Sequence, residues 1–304
     1  MKISICVVTL SVWMLIAMDS RSQSVGVVSD SITHESIPFV NIWIEGETTG
    51  TTSNEQGMYS FKNKLAGKRL VFSSIGYKKK TLLMTDKTDI IVLQPETIQL
   101  PEIVVHAKKR GRPKLYTVGD ELKVSAVRRF FFCGESPYIV AKYFPFQDTY
   151  TKTPFLSVLE IVTSSPLEGA RFNIRLYEMD EHGAPGKSVY GENIIGVAKK
   201  GTNLTRVNLA DHSIVFPKTG LLVAFEFLIV EQNKYIYVNT TADMVKHETI
   251  IYTPTIGTVP IDTEGISWTY DAGSWHTNSV NKRVPQKEFE GKYSEAAIQL
   301  TLMD

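Results

Sequence analysis

Residues 171–176 read Arg171-Phe172-Asn173-Ile174-Arg175-Leu176, with polar and apolar side chains in strict alternation. Successive side chains of a β-strand point to opposite faces, so this pattern predicts a strand with one face on a core and the other in water. The same period recurs in other stretches, and helical spacing is not sustained anywhere after residue 22. The chain is therefore predicted to be all-β. The further alternating stretches are Val40 to Ile44, Val207 to Leu209 and Ile298 to Leu302.

Turn-forming residues separate the alternating stretches. Glycine, proline, asparagine and aspartate favour tight turns because each tolerates or presets the required backbone angles. Many short strands joined by such turns are typical of a β-sandwich or a barrel. The turn signals are Asn54 to Gly57, His182 to Gly186, Pro217 to Gly220 and Asp271 to Gly273.

The composition is that of an ordinary globular protein. Of 304 residues, 43% are hydrophobic and 21% are charged, which argues against disorder, collagen and coiled coil. The formal net charge of +1 supplies no global basic surplus for binding nucleic acid or an anionic membrane. Two cysteines are too few for a disulfide scaffold, and the length suggests two domains.

The first 22 residues have the pattern of a secretory signal peptide. Lys2 precedes an apolar run from Ile3 to Met18, and small residues follow before a predicted cleavage after Ser22, with Ser24 as the rival position. The run is shorter than the roughly 20 residues that span a bilayer, although an uncleaved N-terminal anchor is the alternative. Cleavage leaves a formally neutral chain with Cys133 as its one cysteine, and it predicts export to the periplasm or an outer-membrane-associated location.

Residues 96–116 are predicted to be a basic linker between two domains, at 24–95 and 117–304. The stretch is proline-flanked and then runs Lys108-Lys109-Arg110-Gly111-Arg112-Pro113-Lys114, a cluster of like charges that favours a solvated segment. Arg110-Gly111-Arg112-Pro113 resembles an AT-hook, which lies in the narrow minor groove of A·T-rich DNA. Export and charge neutrality oppose that interpretation, so we expect no nucleic-acid partner. Contact with lipid A phosphates or an acidic partner, and with it peripheral membrane association, is the intermediate alternative.

Five segments follow one another between Val25 and Leu93: Gly26 to Asp30, Ile37 to Ile44, Gly50 to Ser53, Gly57 to Phe61 and Leu70 to Tyr77. In their order and spacing they resemble the carboxypeptidase-regulatory-like domain of exported Bacteroidota proteins. The resemblance implies a small prealbumin-like β-sandwich and implies no catalysis. It extends through Leu100 to Val105, as in the N-terminal extension of TonB-dependent outer-membrane receptors, but the rest of the chain is too short for their 22-stranded barrel.

The larger domain contains the segments Val207 to Asp211 and Ile214 to Pro217, followed by Gly220. These segments resemble the jelly-roll domains of exported bacterial proteins, and the resemblance implies two packed antiparallel sheets. Jelly rolls host lectins, capsids and cupins alike, so this fold by itself names no activity.

Local catalytic motifs are missing from the sequence. Gly134-Glu135-Ser136-Pro137 is not a nucleophile elbow, and neither His34-Glu35 nor His247-Glu248 is followed by a second histidine at helical spacing. Cys133 follows three phenylalanines and is predicted to be a buried thiol rather than a nucleophile. We therefore expect no catalytic residues, no cofactor and no metal.

One aromatic hairpin is the candidate binding site. If Asp271 begins a turn, Trp268 and Tyr270 share one strand face and Trp275 lies across from them. An aromatic platform beside the Asp271 carboxylate can bind a sugar, although aromatic residues of strands usually pack in a core.

The predicted function is that of an exported, non-enzymatic binding or scaffolding protein of the cell envelope, associated with outer-membrane glycan uptake. The alternative is a carbohydrate-binding protein that uses the Trp268–Trp275 hairpin. A third reading is a hydrolase whose residues converge from distant strands.

Overall fold

The computed structural model describes residues 24–62, 64–85, 90–96, 112–119, 121–240, 246–264, 267–271, 273–282 and 284–304. Within these ranges the backbone is all-β, with short 3-10 helices and no α-helix, which confirms the predicted fold class. None of the helices in these ranges is long and apolar enough to cross a bilayer. The predicted signal peptide (1–22), most of the predicted linker and the residues Arg110 and Gly111 lie outside the described residues. The 3-10 helices are Val124–Ala126, Asp148–Lys152, Ala210–His212, Glu231–Asn233 and Lys287–Phe289.

The first seven strands form a small sandwich of two sheets around its own core. One sheet has the order β4-β1-β7, in which β1 and β7 are parallel, and the other has the order β3-β2-β5-β6. Side chains such as Val28, Ile42 and Phe72 are fully buried between them. The strands are β1 (Ser24–Asp30), β2 (Asn41–Ile44), β3 (Gly50–Thr52), β4 (Met58–Phe61), β5 (Arg69–Ser73), β6 (Lys80–Leu83) and β7 (Ile90–Leu93).

The turn before β4 shows how local sequence sets this small sandwich. Asn54 Oδ1 accepts hydrogen bonds from the backbone N–H of Gln56 at 3.0 Å and of Met58 at 2.9 Å. Gly57 has a φ of +70°, which a side chain would make unfavourable. Asn54 therefore closes the turn as an aspartate would, because the two side chains have the same length and each presents an oxygen acceptor at this position.

The remaining strands form a larger sandwich. Its seven-stranded sheet has the order β13-β12-β16-β10-β19-β20, with β14 also on β12. Its eight-stranded sheet has the order β17-β18-β11-β22-β8, with β15 on β11 and both β9 and β21 on β18. The jelly-roll connectivity stays a prediction. The strands are β8 (Leu115–Val118), β9 (Arg129–Cys133), β10 (Ile139–Phe144), β11 (Phe155–Ser165), β12 (Ala170–Met179), β13 (Pro185–Ser188), β14 (Ile194–Ala198), β15 (Gly201–Asn208), β16 (Leu221–Phe227), β17 (Lys234–Thr240), β18 (Lys246–Ile261), β19 (Ser267–Asp271), β20 (Ser274–Thr277), β21 (Tyr293–Ala296) and β22 (Ile298–Met303).

The small sandwich lies directly against the larger one. The backbone N–H of Gly50 donates to Glu135 O at 2.9 Å, and the backbone N–H of Ile229 donates to Thr52 Oγ1 at 3.1 Å. A Cβ at Gly50 would overlap the Pro137 ring, so the close approach requires glycine at this position. Edge strand β3 is therefore covered by loops of the larger sandwich.

Candidate functional site

The outer face of the seven-stranded sheet carries the residues of the site. In β12, Phe172, Ile174 and Leu176 point into the core, as the alternation predicts, while Asn173 and Arg175 point away from it. The prediction that this second face lies in water is wrong, because Asn173 and Arg175 are buried. The small sandwich covers them, which the period of one strand does not reveal.

The register of the sheet sets a row of side chains across five strands under the small sandwich. Asn173 lies opposite Glu226 of β16, Glu226 opposite Ile139 of β10, and Ile139 opposite Tyr270 of β19. Tyr270 in turn lies opposite Trp275 of β20. Same-face neighbours on adjacent strands are about 4.5–5.5 Å apart at Cβ, so polar and aromatic groups are brought together here.

A buried ion pair forms the floor of the site. Glu226 is 0% exposed, and its Oε2 accepts hydrogen bonds from Arg175 Nε at 2.6 Å and Asn173 Nδ2 at 2.7 Å. Oε1 lies 2.5 Å from Arg175 Nη2 and accepts a hydrogen bond from Asn41 Nδ2 of the small sandwich. One carboxylate therefore joins both sandwiches.

Electrostatics keep the guanidinium of this pair charged. Burial by itself lowers the pKa of Arg175, but the nearby Glu226 carboxylate and the Tyr177 side chain outweigh burial and hold that pKa above its ordinary value. Burial raises the pKa of Tyr177, so its phenol stays neutral. Nη2 of Arg175 has no aligned hydrogen-bond partner despite its close ionic contact. The ion pair is neutral overall, and Nη2 of Arg175 can still donate a hydrogen bond.

Two adjoining cavities open beside the ion pair. We call the smaller one, of about 150 Å³, the inner chamber, and the larger one, of about 1010 Å³, the outer cleft. Ser73, Arg175 and Tyr177 line both, so the cavities meet at these side chains. The inner chamber is lined by Asn41, Ser73, Ile139, Arg175, Tyr177, Tyr270 and Trp275.

The outer cleft has one wall from each sandwich. The small sandwich contributes the loop from Ser73 to Tyr77, with Lys79, and the larger one contributes β13 and the segment 212–219. On the larger wall, the Tyr190 hydroxyl lies 2.8 Å from Nδ1 of His212. A cleft of this volume is within the range of small-molecule binding sites, which often lie between domains.

The predicted aromatic hairpin is present, but only part of it lines the inner chamber. Tyr270 and Trp275 line the inner chamber, whereas Trp268 packs on the sheet with a buried Nε1 that has no hydrogen-bond partner. Asp271 is exposed and lies 3.6 Å from Nε2 of His276. The four residues are thus neighbours on one hairpin, but two of them line the cavity; their role in ligand binding stays a prediction.

The aromatic rings do not form one flat platform. Tyr270 and Trp275 have centroids 5.2 Å apart and planes at 62°, and Tyr177 meets Trp275 at 5.6 Å and 79°. Trp43 of the small sandwich meets Tyr270 at 6.3 Å and 84°. Edge-to-face contacts of this kind are the favoured packing of aromatic pairs, and they make these rings a rigid wall rather than a stacking surface.

Sequence reasoning missed Asn41, Arg175, Tyr177 and Glu226. A signal for Glu226 exists, since it stands between Phe225 and Phe227 in a strand that is otherwise apolar from Leu221. Charged side chains are rarely fully buried unless they are paired, so a carboxylate in such a strand indicates a buried partner. The partner itself comes from another strand and another sandwich, which no local pattern specifies.

Cys133 and the turn signal at His182 to Gly186 both have structural roles. Cys133 is buried, and burial raises the pKa of its thiol, so the thiolate needed for nucleophilic attack is disfavoured. Asp180 Oδ1 in the 178–183 loop accepts hydrogen bonds from the backbone N–H groups of His182 and Ala184. Within the described ranges, no three histidine, cysteine, aspartate or glutamate side chains are grouped as metal ligands.

Comparison with known proteins bears on the small sandwich. The family model of the CarboxypepD_reg-like domain matches residues 25–105, which confirms the resemblance found there. A search of curated proteins found no match. The origin in Bacteroidota and the link to TonB-dependent receptors stay predictions.

Solved structures show only weak similarity. The cysteine protease and lectin-like domains of Cwp84, a surface layer associated protein of Clostridium difficile, are 13% identical with a TM-score of 0.34, over 55% of this chain and 32% of that chain. Cwp84 after propeptide cleavage is 14% identical with a TM-score of 0.38, over 63% of this chain and 40% of that chain. The chain thus spans well under half of these proteins, and similarity at this level supports no conclusion about function.

Proposed function

We propose that this chain is an exported, non-enzymatic binding protein of the cell envelope, and that its ligand occupies the inner chamber and outer cleft between the two sandwiches. The carboxypeptidase-regulatory-like domain is a non-catalytic β-sandwich, and here it supplies one wall of the cavity. The observation that carries the proposal is the buried contact of Glu226 with both Arg175 and Asn41, because it holds the two walls at a set distance.

A rigid contact between the two sandwiches favours ligand binding. Each buried ion has a desolvation cost of several kcal/mol, which a close pair with further hydrogen bonds only about offsets. Such a pair is weak evidence for stability, and its value here is that it orients Arg175 at the junction of the cavities. A preformed site loses less conformational entropy when a ligand binds.

The chemistry of the chamber favours a neutral, hydroxyl-rich ligand such as a glycan. Glu226 neutralises Arg175, so the chamber offers no net charge to an anion. Asn41, Ser73 and the guanidinium provide donors and acceptors for hydroxyl groups, and Tyr270 and Trp275 provide apolar contact for C–H groups. In the carbohydrate-binding alternative, two residues of the predicted hairpin, Tyr270 and Trp275, would therefore contact the sugar, and they would do so inside a chamber rather than on an open face.

In this proposal, the cellular location of the protein follows from the predicted signal peptide, residues 1–22. Export would place the protein in the periplasm or at the outer membrane, and the basic segment within 96–116 would contact lipid phosphates or an acidic partner. Mass spectrometry of the protein from fractionated cells tests export: we expect a chain that begins at Gln23, and intact Met1 on cytosolic protein would contradict it.

A glycan array with the purified protein tests the binding proposal. We expect binding to a restricted set of glycans, and Trp275→Ala should weaken the best of them at least tenfold, about 1.4 kcal/mol. Phe132→Ala is the matched control, because Phe132 is 65% exposed on β9 of the eight-stranded sheet and lines neither cavity. Uniformly weak signal across the array, or equal effects of the two substitutions, would overturn the proposal.

A further inference from the structure

A two-stranded arm extends from the eight-stranded sheet. It consists of β17 (Lys234–Thr240) and the first part of β18, which pair in register from Lys234 opposite Tyr252 to position 240 opposite Lys246. Ile236, Tyr237 and Val238 are 47%, 54% and 49% exposed. Neighbouring residues of a strand point to opposite faces, so apolar side chains are exposed on both faces of the arm.

The outer edge of the arm is unpaired. β17 is the terminal strand of its sheet, and in the described part of the chain it pairs with β18 alone. On the other side of β18, β9 pairs only from Tyr252 onward, so, among the described residues, 246–251 pair with β17 alone. A two-stranded ribbon by itself is marginally stable in water, so pairing with a further strand would stabilise this arm.

Beyond Lys234, which begins β17, the edge lacks the features that normally prevent pairing. Residues 235–239 read Tyr-Ile-Tyr-Val-Asn, with no charge, no proline and no bulge in the register. Proteins usually protect an exposed edge with lysine, proline or a bulge. Edge strand β6 of the small sandwich is protected in this way, since Lys78, Lys79 and Lys80 stand at its start.

The sequence of β17 is complementary to itself. Antiparallel pairing of two copies about Tyr237 places Ile236 opposite Val238 and Tyr237 opposite its own equivalent. Lys234 would then face position 240, and it keeps its ion pair with Glu231 at 3.1 Å, so no like charges oppose each other. Aliphatic and aromatic cross-strand pairs stabilise a sheet by about 0.2–1 kcal/mol each.

We propose that β17 is a homodimerisation edge, and that two copies of this chain join their arms in an antiparallel pair centred on Tyr237. The arrangement is a closed two-fold contact in which both partners use the same surface. β17 belongs to the eight-stranded sheet, whereas the cavities lie on the outer face of the seven-stranded sheet. The dimer therefore leaves both cavities open, and its existence does not depend on the proposed function.

Disulfide trapping tests the register directly. In a Cys6→Ser background the remaining native thiol is Cys133, which is buried. Tyr237→Cys should give a covalent dimer under mild oxidation, because directly opposed Cβ atoms are close enough for a disulfide. Ile236→Cys is the register control, since its own equivalent would lie diagonally, about 7–8 Å away. Val197→Cys, at a similarly exposed position in β14, is the surface control.

Sedimentation equilibrium measures the dimer without a cross-link. We expect a mass twice that of the single chain, and Val238→Lys should weaken the dimer at least tenfold while Val197→Lys leaves it unchanged. Circular dichroism checks that both variants fold. A single-chain mass at all accessible concentrations would overturn the proposal, as would equal trapping at positions 236, 237 and 197.

Discussion

Replacing Glu226 with glutamine removes one charge from the buried contact between the two sandwiches. The size and shape of the side chain stay nearly the same. Glu226 is 0% exposed and contacts Arg175 through both of its oxygens. Glutamine offers one oxygen and one amide group, and the amide would direct its own hydrogens at the donors of Arg175 or Asn41. The Arg175 cation then remains buried without a counter-charge.

The size of the effect follows from that burial. Removing one partner of a buried ion pair costs about 3–5 kcal/mol, because the other charge stays desolvated. For a domain of 150–250 residues each kcal/mol shifts Tm by about 2–4 °C, so a drop of roughly 6–20 °C is expected. Glu160→Gln is the matched control: Glu160 Oε1 lies 2.7 Å from Nη2 of Arg206, whose side chain is mostly exposed, and such a pair is worth about 1 kcal/mol or less.

Urea unfolding, followed by tryptophan fluorescence, measures the change in the free energy of unfolding. A second variant, Arg175→Met with Glu226→Leu, removes both charges and should recover more than half of the lost stability, as buried pairs replaced by apolar residues often do. A loss below about 1 kcal/mol for Glu226→Gln would refute the reasoning, as would a double variant that is less stable than the single one.

Three further outcomes follow from other parts of the structure. Because burial raises the pKa of Cys133, its thiol should stay unreactive towards an alkylating reagent at pH 8 in the folded protein and react fully in urea; reaction of the folded protein would contradict its place in the core. Burial, with the nearby Tyr177 side chain, raises the pKa of Tyr270 to about 12, so its contribution to stability is present below the ordinary value of 10 and is lost as the pH rises through about 12. The difference in tyrosinate absorbance between the protein and its Tyr270→Phe variant, followed against pH, measures this pKa, and a difference that titrates at 10 would refute it. A Cβ at Gly196 would overlap the Phe172 ring in the packed core, so Gly196→Ala should lower the free energy of unfolding by about 1–3 kcal/mol in a denaturant titration, whereas Gly134→Ala, with open space around it, should change it little; equal effects would show that the core can adjust.

The strands and the inner faces were accessible to sequence reasoning because both depend on near neighbours. Phe172, Ile174 and Leu176 face the core as their spacing predicts, and the Asn54 turn forms as its residues predict. The same reasoning failed for Arg175, which it assigned to water. A strand pattern identifies the two faces of a sheet, but whether a second layer covers the outer one depends on contacts between distant parts of the chain.

The aromatic hairpin shows the same division. The pairing of Tyr270 with Trp275 follows from a turn of a few residues and could be predicted. The line of side chains from Asn173 to Trp275 requires five strands, of which only β19 and β20 follow each other in sequence. The chamber also requires Asn41 from the other sandwich.

By itself, the order of residues determined an all-β chain, the identity of its first module and the core-facing side of its strands, since periodicity, turn chemistry and motif spacing are properties of neighbours along the chain. Only the tertiary structure decided that Glu226 meets Arg175 and Asn41, because the desolvation of a charge is set by whatever packs over it in space. The cavity, the buried ion pair and the free edge of β17 are all consequences of that packing.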